Sequence, residues 1–139
     1  MLSDTIHAKG HRNILATHKT TFQITKEDHI SKRADCIVAV SADKSLRDLA
    51  RDIKTALSTN AARIRLTIQA GNMSEVITGF GSAALSLSDT DDMVVRKSGF
   101  VSGRTLMIGA DKAAGDLDHA FVDKLKTSED ITITIEADF

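Results

Sequence analysis

Ala42-Asp43-Lys44-Ser45-Leu46-Arg47-Asp48-Leu49-Ala50-Arg51-Asp52-Ile53-Lys54-Thr55-Ala56-Leu57 returns sixty-eight residues later as Ala110-Asp111-Lys112-Ala113-Ala114-Gly115-Asp116-Leu117-Asp118-His119-Ala120-Phe121-Val122-Asp123-Lys124-Leu125. Six of the sixteen positions are identical, and the apolar stripe stays in phase. Leu46, Leu49, Ala50, Ile53 and Leu57 in the first copy, and Ala114, Leu117, Phe121 and Leu125 in the second, recur at the spacing of one helix face. The pattern predicts helices over 44–58 and 112–126, with Asp43 and Asp111 capping their first turns.

Each predicted helix is followed by a strand that alternates regularly. Ile64, Leu66, Ile68 and Ala70 face one way in the first copy, and Ile131, Ile133, Ile135 and Ala137 in the second. Each is preceded by a continuous apolar run, 36–40 and 105–108, expected to be a central strand. Further upstream, 14–25 reads as one long strand or a bent pair, with Phe22 and Ile24 inward. Its counterpart is 84–88 followed by 93–96, and 75–80 is a further strand. The fold class is α+β and β-rich. Sandwich- or barrel-like sheets with two helices form two pseudo-symmetric halves, approximately 10–70 and 79–137, of one domain spanning 1–139 around one core.

Composition narrows the function classes. Eighteen basic and nineteen acidic residues leave no global field to draw in nucleic acid. With five Phe and no Trp or Tyr, the chain does not offer an aromatic platform for single strands. The single Cys36 excludes an intramolecular disulfide. Neither a signal peptide nor an apolar run of spanning length is present, so no membrane association and a cytoplasmic location are expected.

Chemistry-bearing residues gather in three places. The first holds His11 and the run Thr17-His18-Lys19-Thr20-Thr21, in which His18 would be an acid or base if the strand emerges beside a pocket. The bland alternative is a satisfied core histidine. The second is Arg96-Lys97-Ser98 with Arg104, which a hairpin would return beside Arg96 to hold a carboxylate or phosphate. A solvated basic edge explains the same residues more cheaply. The third is the repeated Asp43-Lys44 and Asp111-Lys112, which are either helix caps with surface lysines or helix-start anion sites. His11, His18, Asp35 and Cys36 match no compact zinc spacing, and Asp89, Asp91 and Asp92 lack the pattern of a calcium loop, so no metal or other cofactor is expected.

Gly10-His11, Ala16 to Thr21, Asp35-Cys36-Ile37, Val94 to Ser98, Arg104-Thr105 and Ala110 to Ala114 together resemble an archaeal domain family of unknown function, DUF371, over roughly residues 5 to 137. The resemblance implies an archaeal cytosolic protein with a compact β-rich fold, and no reaction. This chain departs from the family pattern in having Gly79-Phe80-Gly81-Ser82 where a second Gly-His pair is expected. It also has Gly99 where an acidic residue often stands. The leading expectation is recognition of a small anionic ligand by His11, His18, Lys19, Arg96, Lys97 and Arg104, with Asp35 or Asp43 orienting a base. If there is turnover, His18 is the acid or base. The alternative is a non-enzymatic module, homo-oligomeric or RNA-associated.

Overall fold

The computed structural model describes residues 2–138, in which one order of elements runs twice. The first half is β1 (Leu2–Ala8), β2 (Thr21–Thr25), β3 (Ile37–Ala39), α1 (Arg51–Leu57) and β4 (Arg63–Ala70). The second is β5 (Met73–Phe80), β6 (Asp92–Arg96), β7 (Thr105–Met107), α2 (His119–Thr127) and β8 (Ile131–Asp138). One sheet has the order β1-β8-β4-β5 and is antiparallel throughout. The other has the order β3-β2-β6-β7, with an antiparallel centre and β3 and β7 parallel to their neighbours. Exchanging each strand of the first half for its partner in the second leaves both orders unchanged. A pseudo-two-fold axis therefore passes through the Thr67–Thr134 pair of one sheet and the Gln23–Val94 pair of the other.

The two sheets are stitched together along both seams. Lys9 and Val40 exchange backbone bonds of 2.7 and 2.8 Å, and Phe80 and Ile108 exchange bonds of 2.8 and 3.0 Å. The strands thus meet in a flattened ring, joined by one bridge at each seam. Alternation along β4 and β8 sends Ile64, Leu66, Ile68, Ile131, Ile133 and Ile135 inward to meet Phe22, Ile24, Ile53 and Phe121 in one core. Each such fully buried side chain favours folding by about 1.5–3 kcal/mol relative to exposure.

Several sequence expectations change here. Neither predicted helix is continuous. A single 3-10 turn at Leu46–Asp48 is followed by extended Leu49 and Ala50 before α1 begins, and Ala114–Asp116, Leu117 and Asp118 repeat the break before α2. The cause is side-chain competition for the backbone. The Asp48 carboxylate accepts from the Ser45 amide at 3.0 Å, and the Asp116 carboxylate from the Ala113 amide at 2.8 Å, closing each turn on itself. Leu49 and Leu117, the first extended residue after each turn, are themselves buried in the core.

In place of one strand over 14–25 there is only β2, because Ala16 takes a left-handed φ of 50° and the chain turns at His18. The expected strand at 84–88 is likewise a loop, with Leu87 at φ 51°. Runs 36–40 and 105–108 contain β3 and β7, which are outer and not central strands of their sheet. They read as buried because the seams cover their edges. The sequence pattern does not reveal β1, because Asp4 interrupts its inward stripe of Leu2, Ile6 and Ala8.

Candidate functional site

Most of the repeated polar residues hold the ring together. Asp43 donates its backbone amide to the His7 carbonyl at 2.9 Å, while its carboxylate accepts the His7 amide at 2.9 Å. Asp111 does the same to Thr78, at 2.9 Å for both bonds. A side chain here completes the ladder of the edge strands β1 and β5. The aspartates are therefore not helix caps. Lys44 pairs with Asp4 at 2.6 Å and Lys112 with Glu75 at 2.9 Å, so each lysine holds the matching acidic residue of an edge strand. Lys97 pairs with Asp116 at 3.1 Å, as Lys26 pairs with Asp48 at 3.4 Å.

The same symmetry accounts for one nitrogen of each candidate histidine. His18 Nδ1 accepts from the amides of Thr20 at 3.2 Å and Thr21 at 3.1 Å. In the other half, Asp89 Oδ2 accepts from Asp91 at 3.1 Å and Asp92 at 2.7 Å. His11 Nδ1 accepts from Asn13 at 3.0 Å, and the Ser82 hydroxyl accepts from Ala84 at 3.2 Å. Both histidines thus close turns as a short polar side chain would. With Nδ1 accepting, the proton of each neutral ring sits on Nε2, which makes that nitrogen a donor. A metal-bound histidine shows the reverse, donating its second N–H to a neighbour. His11 lines a cleft of about 620 Å³ together with His29, Lys9, Arg12 and the turn after α2.

Arg96 has no such twin. Its matching position in the first half is Thr25, directly opposite Asp92 in the β2–β6 ladder. It leaves the outer face of β6, and its guanidinium is held by neutral oxygens: Nε donates to Thr105 Oγ1 at 2.9 Å and Nη2 to Ser102 Oγ at 3.1 Å. Phe100 lies over it, 4.9 Å from Cζ to the ring centroid. Among the described residues no carboxylate pairs with it, although it is half-buried and the other arginines are exposed. Burial first, and the like charge of Arg104 second, lower its pKa. Removing a cation from water without a counter-charge costs free energy, and here two hydroxyl oxygens and a ring face offset part of that cost.

The hairpin expected to bring Arg104 back is a parallel crossover. The chain climbs over the outer face of the second sheet, and Val94 donates to the Arg104 carbonyl at 2.8 Å. Arg104 pairs with Asp92 at 3.0 Å yet stays close enough to repel Arg96. Cys36 is on this face too, its thiol pKa raised by burial and then by Asp35, with Sγ 3.6 Å from Gln23 Oε1. The pattern of DUF371, a domain of unknown function, matches residues 6–138. This chain belongs to the DUF371 family. An uncharacterized protein of Methanocaldococcus jannaschii is 42% identical to it over 130 residues, covering 94% of this chain and 96% of the relative.

Within this DUF371 chain the candidates disperse. Arg96, Arg104 and the Asp35-Cys36 pair share the outer face of the second sheet, and Thr21, bonded to His18, stands opposite Arg96 in the ladder. His11 is in the separate cleft beside α2. Lys19 is exposed and makes no ion pair among the described residues. The Ser98 hydroxyl accepts the Phe100 amide at 3.2 Å. Sequence reasoning missed Phe100, Ser102, Thr105 and Gln23. The glycines flanking Phe100 at 99 and 103 were the available signal of a loop that presents a side chain. The missing second Gly-His pair is explained as well, because Ser82 closes the turn that His11 closes. Among the described residues no helix is long and apolar enough to cross a membrane.

Proposed function

We propose that this protein binds a small anion-bearing molecule at Arg96, with Arg104 contributing charge from the same face. The observation that supports the reading is the half-buried guanidinium of Arg96, which has hydroxyl partners and a stacked ring but no carboxylate among the described residues. Thr105, fully buried, and Ser102 use Nε and one side of Nη2, so the Nη1 edge remains for a carboxylate or phosphate. Thermal unfolding in phosphate and in chloride at matched ionic strength tests this. A bound anion at ten times its Kd adds about 1.4 kcal/mol to stability. The wild type should melt higher in phosphate or citrate, and Arg96→Ala should lose that difference. An equal anion response in both proteins removes Arg96 from the site.

A further inference from the structure

Among the described residues Phe100 is the most exposed of the large apolar side chains, at 61%. Val101 next to it is partly buried against the core, and the Ser98 and Ser102 hydroxyls close the loop by accepting the amides of Phe100 at 3.2 Å and Arg104 at 3.2 Å. The loop is therefore anchored on both sides of a ring that points to solvent. One face of that ring is over Arg96. A Cβ added at Gly99 or Gly103 would meet nothing within 4 Å, so the two glycines of the loop face open space. The matching position in the first half is His29, which shows that the duplicated fold does not itself require a phenyl ring here.

We infer that the anion bound at Arg96 carries a planar aromatic ring on a flexible tether, with the charge on the guanidinium edge and the ring on the free face of Phe100. This rests on the reading of Arg96 given above and names the class of ligand. The tether follows from distance. Arg96 Cζ is 4.9 Å from the Phe100 centroid. A second ring stacks roughly 4.5 Å or more beyond the first. The ring and the charge of the ligand are then several ångströms apart, which suits a nucleoside diphosphate and does not suit a carboxylate bonded directly to a ring.

Calorimetric titration with adenosine diphosphate, inorganic pyrophosphate and benzoate, on wild type, Phe100→Ala and Arg96→Ala, tests it. Base stacking on an aromatic side chain is worth roughly tenfold or more in affinity. Adenosine diphosphate should bind the wild type about tenfold tighter than pyrophosphate, and benzoate should show no such gain. Phe100→Ala should bring nucleotide and pyrophosphate to the same affinity, while Arg96→Ala should weaken both. Equal affinity for nucleotide and pyrophosphate overturns the ring and leaves the Arg96 reading standing. No binding of either by the wild type overturns both. Phe100 is exposed on a loop, and a melting temperature unchanged from wild type would show that its variant is folded.

Discussion

Replacing Asp111 by alanine separates a staple of the fold from a ligand site. Its carboxylate accepts the Thr78 amide at 2.9 Å on the edge of the first sheet. Thr78 is exposed, so water takes the place of the lost acceptor, and the cost is closer to the ordinary net value of a hydrogen bond, about 1 kcal/mol, than to that of a buried charged one. In a chain of this size that lowers the melting temperature by about 4 °C. Asp111→Asn keeps an oxygen at the same place and should recover most of the loss. Asp43→Ala removes the matching bond to His7 on the opposite edge strand. Because the two sites share no partner, the double variant should lose about 2 kcal/mol, the sum of the two. Urea unfolding of the four variants gives these values. Two outcomes refute the staple: an Asn variant no better than Ala, or an Ala variant of full stability that no longer responds to phosphate.

Acid stability should depend on Asp4. Burial raises its pKa, but the Lys44 ammonium and the amides of Ala50 and Thr5 outweigh that and hold it below the ordinary carboxylate value. A lowered folded pKa gives stability that is complete above the unfolded value of about 3.9 and is lost as pH falls through the folded one. The advantage of wild type over Asp4→Asn in urea should therefore be constant at neutral pH and shrink below about pH 4; an advantage independent of pH would contradict the assignment. Gly10→Ala should be far more damaging than Gly103→Ala. A Cβ at Gly10 would lie 1.8 Å from the Leu125 carbonyl oxygen, a backbone atom that cannot swing aside, whereas at Gly103 it meets nothing within 4 Å. Roughly 3 kcal/mol separates a severe steric clash from a neutral surface change. Similar melting temperatures for the two variants would show that the β1 loop does not pack on α2 as described.

Much of the architecture was legible in order and little of it in detail. The alternation of β4 and β8 reads directly because one face is buried and the other is wet. The break inside each predicted helix does not, since Leu49 and Leu117 stay in phase with a helical stripe although the chain around them is extended. The candidate site was legible as residue types around Arg96. Its true companions were hidden because Ser102, Thr105 and Phe100 become a cluster only when a parallel crossover lays their loop over β6.

The sequence by itself determined that two similar halves share one interior, because periodic apolar spacing and a recurring Ala-Asp-Lys are properties of neighbours along the chain. Only the tertiary structure decided what the polar residues do. Asp43, Lys44, Asp111 and Lys112 are consumed by edge strands some 30 to 40 positions away, as with Lys44 and Asp4. Arg96 is left without a counter-charge among the described residues. Whether a charge is neutralised depends on distance in space, and that is set by how the strands close into a ring.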